Sequence, residues 1–382
     1  MKKLFVLNCG SSSIKYRLFD TDAGFRLLAE GIVERIGEAV ADYDAGFAMI
    51  ADRLRKAGVL EDFSELAAAG HRVVHGGERL VAATRIDAAV EAEIERLIPL
   101  APLHNPANLE GIRALRRAAP RLPQVAVFDT AFHRSMPPEA YRYAVPGRWY
   151  REYGIRRFGF HGISHHYMLE ESARILGRAP DACNLITLHL GNGASVTAIE
   201  SGESIETSMG YTPMEGLVMG TRCGDIDAGI LLSMAREQGM DAARIDEILN
   251  HESGLKGLCG SNDMREILQM RERGDRDAAL AVSLFCRRVR KYIGAYAMLL
   301  GRVDAIVFAG GIGTHAAPIR QEICEGLAPL GIRIDSAENG KPVEAARIVS
   351  DPASRSAVIA MQTDEELQIA RQTQQLLWGE TQ

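Results

Sequence analysis

Several short stretches of the chain collect residue types that handle multiply charged anions. In "NCGSSSIK", Asn8 to Lys15, a glycine and three serines follow a short apolar run. Their backbone N–H groups, with the hydroxyls of Ser11 and Ser13, can cradle phosphate oxygens. Lys15 adds a point charge, and Asn8 at a strand end can hold a metal-bound water. The same residues also make ordinary turns. Arg72 in "GHRVVHGGE" and Arg222 in "MGTRCGDID" each stand among glycines, where a guanidinium fork can reach an anion. Singly, each is better read as a surface or structural charge. Together they suit a charged phosphoryl group.

"HLGNGAS", His189 to Ser195, repeats the first design, with His189 and Asn192 flanking glycines that let backbone approach a ligand. Asn-Gly is also the commonest hairpin turn signal. "AGGIGTH", Ala309 to His315, is a third glycine turn after a strand-like run. Neither the dinucleotide fingerprint nor the Walker pattern occurs, which disfavours both of those sites. "FGFHGISHH" puts His161 and His165 four apart, a zinc-like spacing without the metalloprotease glutamate. An imidazole donating to an oxyanion is the better reading. Asp129 in "VFDTAFH" ends a strand, as a metal or base carboxylate or as a helix N-cap. Near the C-terminus, Thr363 and Glu366 have capping-box spacing, which accounts for Glu366 structurally. Glu365 suits the first-turn dipole or a metal.

The composition narrows the field. A chain of 382 residues is long enough for two domains with ample cores. A net charge of −6 gives no electrostatic reason to expect nucleic acid or an anionic membrane. An anionic substrate then needs a local cluster of cations and donors. Six scattered cysteines without a C-x-x-C pair argue against zinc or a disulfide framework, and for a reducing compartment. The opening "MKKLFVLNC" imitates an export signal, but its apolar run of four residues falls short of the roughly 7–15 required. No window approaches the ~18 apolar residues of a membrane span, so a cytoplasmic location is expected.

The elements that position these residues alternate. Leu4–Leu7 and Tyr16–Phe19 read as strands joined by the first turn, and Asn184–Glu200 repeats that strand–turn–strand unit. Helical periodicity marks Asp87–Leu97, Asn108–Ala118, Ile226–Glu237 and Arg276–Leu300. Alternating strands and helices imply α/β layering. The repeated unit implies two similar lobes around a central cleft. The change of lobe is expected within Tyr143–Gly154, giving an N-terminal lobe over 1–147, a C-terminal nucleotide-binding lobe over 148–366, and a helix over 367–382 packing back on the first.

In this order, "NCGSSSIKY", "GHRVVHGGE", "LAPLHNPAN", "VFDTAFH", "FGFHGISH", "HLGNGAS", "ETSMGYTPMEGL", "MGTRCGDID", "SND" and "TDEE" resemble the acetokinase family, within the wider sugar kinase/Hsp70/actin superfamily. The resemblance spans nearly the whole chain. It implies a duplicated RNase H-like (actin-like ATPase) fold and a homodimer. The implied reaction is reversible transfer between Mg-ATP and acetate, giving acetyl phosphate and ADP, with Mn2+ able to replace Mg2+. By matching position, Arg72 and Arg222 hold the carboxylate and the phosphoryl group, and His161 stabilises the transition state. Asn8, Ser11, Ser13, Lys15, Asp129 and Glu365 organise phosphates and metal, with Asn8 and Glu365 nearest the metal. Val74, Leu103, Phe160 and Pro213 form a small apolar pocket. His189, Asn192 and Gly193 meet the nucleotide phosphates, and Asp263, Arg265, Gly311 and Ile312 line the nucleoside site.

The chemistry agrees with this inventory. A carboxylate with a pKa near 4–5 is ionised at neutral pH and needs no strong base. It needs cancellation of repulsion between two anions, and in-line positioning. Asp129 is therefore assigned to metal and positioning work rather than proton abstraction. The sequence departs from the family pattern at Cys9, at Met264, at Thr314–His315, and over Gly37–Ser64, which is expected outside the cleft. The Met264 and Thr314–His315 changes fall at the donor site. Alternatives on the same scaffold are a propionate or butyrate kinase and a pyrophosphate-using acetate kinase. A remote one is an actin/Hsp70-like nucleotide-switch module, which should carry an appended partner-binding segment and leaves the arginine pair without a purpose.

Overall fold

The computed structural model describes residues 2–379, so residues 380–382 of the expected C-terminal helix lie outside the described residues. The chain forms two compact units, one of 1–134 with 364–382 and one of 135–363.

The first unit is built on a six-stranded sheet of β1 (Lys3–Gly10), β2 (Ser13–Asp20), β3 (Arg26–Glu34), β4 (Leu66–Val73), β5 (Thr84–Arg85) and β6 (Gln124–Phe128). Their order is β3-β2-β1-β4-β6-β5. β1 pairs antiparallel with β2 and parallel with β4. Central β1 is buried along its length except at Asn8 and Gly10, as expected of a strand covered on both faces. Phe47, Ile50 and Leu54 of the helix Tyr43–Lys56 pack with Phe5, Leu7 and Ile14 in one core cluster. The segment expected outside the cleft thus supplies a helix to this core.

The helix Glu365–Trp378 also belongs to this unit. It approaches β4 closely because position 70 is glycine. A Cβ there would stand 2.5 Å from Thr373 Oγ1 and 2.7 Å from Ile369 Cγ2. Its N-cap is Asp364, whose carboxylate accepts from the Leu367 N–H, so the expected Thr363–Glu366 capping box does not form. Arg17 fixes that cap through Asp364, and Lys15 pairs with Glu366 at 2.6 Å.

The second unit repeats the plan with β7 (Leu185–Leu190), β8 (Ala194–Glu200), β9 (Glu203–Thr207), β10 (Ala305–Ala309), β11 (Ala346–Ile348) and β12 (Ala357–Met361). Their order is β11-β12-β10-β7-β8-β9. Read from its β9 end, this sheet has the same sequence of antiparallel, antiparallel, parallel, parallel and antiparallel pairings as the first read from β3. The long helix Arg276–Leu300 buries Ala278, Ala281, Val282, Phe285, Cys286, Val289, Ile293, Tyr296 and Leu300, a stripe at helical spacing.

The division falls at Arg134, earlier than the expected 147. Residues beyond it are held in the second unit: the Ser135 hydroxyl donates to the Ser204 carbonyl, and the Tyr143 hydroxyl to the Glu215 carboxylate. The six cysteines are unpaired thiols. No helix among the described residues is long and apolar enough to cross a membrane.

Candidate active site

In the first unit, β1 and β2 are longer than expected, and only Ser11 and Ser12 remain as the turn between them. This puts Asn8 inside β1, opposite Lys15. Arg72 lies on β4 and Asp129 just beyond β6. The Asp129 N–H donates to the Val73 carbonyl, fixing the two side by side. Arg72 donates to both carboxylate oxygens, Nη2 to Oδ2 at 2.6 Å and Nε to Oδ1 at 3.2 Å, and reaches Asn8 Oδ1 at 3.4 Å. Glu365 Oε2 stands 3.9 Å from Arg72 Nε. Asp129 is thus a partner of Arg72, not a helix cap.

The charges are tuned accordingly. Burial opposes the Arg72 charge, but Asp129 and Glu365 more than offset it and raise its pKa. Burial is the main cause that pushes Glu365 up to about 7; Asp129 and Glu366 add to it against Arg72 and Lys15. Lys15 is tied to Glu366, which the sequence reading had set aside as a cap residue. Ser11 is exposed and Ser13 half-buried.

Two asparagines that sequence reasoning quoted but gave no role hold these turns together. On the helix Asn105–Ala118, Asn108 donates to the Cys9 carbonyl and accepts from the Val74 N–H. Asn105 exchanges two hydrogen bonds with the backbone of His75. Both are buried amides, and their position within an apolar helical pattern was the available signal. Val74 is buried, whereas Leu103 is 59% exposed.

In the second unit, His161 takes a left-handed conformation, φ 57°, immediately before the helix Gly162–Leu176. Its Nδ1 lies 3.0 Å from Ser195 Oγ, and its ring stacks on His189 at 4.3 Å. His165 bonds the same Ser195 hydroxyl, so the pair four apart converge on a hydroxyl. Among the described residues, no group of three or more His, Cys, Asp or Glu is arranged to hold a metal. A Cβ on Gly193 would stand 3.3 Å from His161 Cε1 and 3.6 Å from Arg222 Nη1, so a side chain there would crowd the imidazole. Arg222 donates to the Pro213 carbonyl at 3.0 Å, and burial lowers its pKa. Unlike Arg72, it has no carboxylate partner among the described residues. Phe160 is buried and Pro213 half-buried.

A cavity of about 660 Å³ opens beside this turn, lined by Gly191, Asn192, Asp263, Met264, Arg265, Gly311, Ile312 and His315, with others. The four residues expected at a nucleoside site therefore line the same cavity as Gly191 and Asn192 of the "GNG" turn. Asp263 caps the helix Met264–Glu272, and its hydrogen bond from Arg265 holds its carboxyl down to about 2. Residues Gly310–His315 form a short helix rather than a turn. Thr314 is buried, its hydroxyl donating to the Met361 carbonyl, so of the Thr314–His315 pair only His315 lines the cavity.

The chain matches the model of the acetokinase family over residues 37–371, a span that includes Gly37–Ser64 and starts after the first turn. It is 51% identical to an acetate kinase of Streptomyces avermitilis, over 98% of this chain and 97% of that protein. The crystal structure of Porphyromonas gingivalis acetate kinase superposes with a TM-score of 0.94 at 41% identity, covering 99% of this chain and 100% of that one. A propionate kinase from Francisella tularensis gives a TM-score of 0.91, also at 41% identity, over 97% and 99% of the two chains. The duplicated pair of six-stranded sheets is the α/β fold of these carboxylate kinases. The chain belongs to the acetokinase family.

Proposed function

We propose that the protein is an acetate kinase, transferring the γ-phosphoryl group of ATP reversibly to acetate with Mg2+ present. The observation that carries this reading is the run Gly191–Gly193. Gly191 and Asn192 line the second unit's cavity, and Gly193 lies against His161 and Arg222. A nucleoside seated there directs its phosphates along a glycine turn toward two donors, one of them a cation without a carboxylate partner among the described residues.

A carboxylate oxygen of acetate attacks the γ-phosphorus as the bond from that phosphorus to the β–γ bridging oxygen breaks. The electron pair leaves with ADP, and no proton moves. Arg222 and His161 take oxygens of the transferring group, while His189, Asn192 and Gly193 meet the remaining phosphates. Arg72, held by Asp129, offers its guanidinium to the carboxylate, and Val74, Leu103, Phe160 and Pro213 contribute apolar contacts to its methyl group. Lys15, Ser11 and Ser13 contribute phosphate-side donors.

The first unit's donor set fits Mg2+. Asn8, Asp129 and Glu365 supply hard oxygens beside Arg72, few enough to suit an ion completed by phosphate oxygens and water. Burial and two neighbouring carboxylates keep Glu365 reluctant to ionise, a cost that a divalent cation relieves. Bound there, Mg2+ or Mn2+ would supply neutralisation of phosphate charge.

A propionate-preferring enzyme is the second reading, favoured by the equal identity to the propionate kinase. One methylene in an apolar pocket is worth only about 1–3 kcal/mol. A homodimer is supported by the helix Ala228–Gln238, which buries no residue while Ile230 and Leu232 are 49% and 61% exposed. A cytoplasmic location suits the free thiols and the nucleotide substrate.

The test is acyl phosphate trapped as its hydroxamate from Mg-ATP with acetate, propionate or butyrate, and with pyrophosphate as alternative donor. Acetate turnover from ATP, abolished in Arg222→Ala, is expected. Activity only with pyrophosphate, or a higher kcat/KM for propionate, would replace this reading.

A further inference from the structure

We infer that Thr187, His165 and Ser195 form a one-directional hydrogen-bond chain that fixes His161 as the tautomer protonated on Nε2, which makes them positioning residues for phosphoryl transfer. The inference rests on the role given to His161 above.

The chain runs through the second unit's interior. Thr187 Oγ1 on β7 lies 2.8 Å from His165 Nδ1, His165 Nε2 lies 2.8 Å from Ser195 Oγ, and Ser195 Oγ lies 3.0 Å from His161 Nδ1. Thr187, His165 and Ser195 are each fully buried. Distances alone leave the protons unassigned, because both hydroxyls can donate or accept. The end of the chain decides. Among the described residues, Thr187 Oγ1 has His165 as its only hydrogen-bond partner. Were His165 to donate from Nδ1, the buried Thr187 proton would have no acceptor, which leaves a desolvated donor unsatisfied.

Thr187 therefore donates, and His165 accepts on Nδ1. A neutral imidazole that accepts at one nitrogen carries its proton on the other, so His165 Nε2 donates to Ser195. The Ser195 hydroxyl has one proton, which it gives to His161 Nδ1. His161 then carries its own proton on Nε2. An imidazolium at His165 would orphan the same threonine proton and bury a charge.

The neighbours give this direction a use. The Nε2 and Cε1 atoms of His161 border the space above Gly193, and Arg222 Nη1 borders it too. One ring face is covered by His189, whose Nδ1 is held by Ser164. A neutral N–H donor beside Arg222 avoids setting two cations together before the anion arrives. It also keeps His161 a donor above its ordinary pKa of about 6.5.

The test is nitrogen-15 spectroscopy of the full chain labelled at histidine, near pH 7.5 (about one unit above the ordinary histidine pKa), with His161→Asn and His165→Asn assigning the signals. His161 and His165 should both be protonated on Nε2 and bare on Nδ1. A wild-type His161 protonated on Nδ1, or charged at that pH, overturns the inference, whatever the variants do. Thr187→Val should mix the tautomers and lower kcat about tenfold, as losing an outer-shell partner does. Both KM values should stay within about twofold. Thr187→Ser should restore tautomer and rate. A Thr187→Val enzyme with unmixed tautomers and full kcat also overturns it. Turnover with the opposite tautomer sinks this inference alone. The expected tautomers in a chain inert toward acetate sink the proposed function alone.

Discussion

Arg72 and Asp129 meet as a two-pronged ion pair, with Arg72 Nη2 2.6 Å from Asp129 Oδ2 and Nε 3.2 Å from Oδ1. The guanidinium is thereby aimed and partly neutralised before any substrate is bound. Asp129→Asn should keep the geometry and lose the charge. We expect kcat to fall roughly 10- to 100-fold, the equivalent of one charge-assisted hydrogen bond, and the Mg2+ concentration for half-activity to rise. Initial rates across a Mg2+ titration check this. An Asp129→Asn enzyme with both parameters unchanged would remove Asp129 from metal and positioning work.

Glu365 makes stability depend on pH in a definite direction. Its carboxyl rises from 4.5 to about 7 in the folded chain, so the folded state holds the proton more tightly than the unfolded one. Its stabilising contribution is complete below about pH 4.5 and is lost as pH rises through about 7. Glu365→Gln, which resembles the protonated form, should match wild type near pH 4.5 and exceed it at pH 8 by about 1–3 kcal/mol. Denaturant unfolding without Mg2+ at both pH values tests the sign. A variant less stable than wild type at the higher pH would contradict it.

The cavity beside Gly311 can be filled from within. A Cβ at Gly311 meets nothing within 4 Å, so a side chain there enters open space. Gly311→Trp should fold normally and raise the KM for ATP at least tenfold, a loss of about 1.4 kcal/mol or more of binding. The KM for acetate should change little. Equal loss of both would show that the substitution acts on the fold and not on the nucleotide.

Gly70 controls how the C-terminal helix sits on the first sheet. An alanine there would bring its Cβ to 2.5 Å from Thr373 Oγ1 and 2.7 Å from Ile369 Cγ2. The helix must move, at about 1–3 kcal/mol. Glu365 is its first residue, so the shift reaches the site. Gly70→Ala should lower Tm and weaken Mg2+ activation together. Thr373→Ala with Gly70→Ala should not rescue either, because Ile369 still blocks the approach.

Much of this was legible in the sequence. The Gly/Ser and "GNG" turns lie between antiparallel strands as their composition implied, and the helix Arg276–Leu300 has the predicted bounds. Strand ends were harder to read. Asn8 and Lys15 look like turn residues by type, yet ladder pairing with each other carries them into β1 and β2. Arg72 and Arg222 could be found as candidate anion ligands. Their difference could not, since it depends on Asp129 lying 57 positions from Arg72 and on Arg222 having no carboxylate partner among the described residues. Glu366 was misread for a related reason. Capping spacing is local information, and the Asp364 cap and the Lys15 partner are set by tertiary packing. Thr187 and Ser195 carry no motif-level signal for a role toward His161. Their place comes from antiparallel register between β7 and β8, where Thr187 faces Thr197 and His189 faces Ser195.

The first unit is discontinuous: its sheet comes from the start of the chain, and its helix Glu365–Trp378 comes from the other end. On a ribosome these parts emerge far apart in time. Until Glu365 and Glu366 have been synthesised, Lys15 has no partner carboxylate and Arg72 has only Asp129. A chain interrupted before residue 365 can therefore contain every residue that lines the second unit's cavity while Lys15 and Arg72 still lack their partners on that helix. The charge network of the first unit is thus assembled only when its two distant pieces of chain meet.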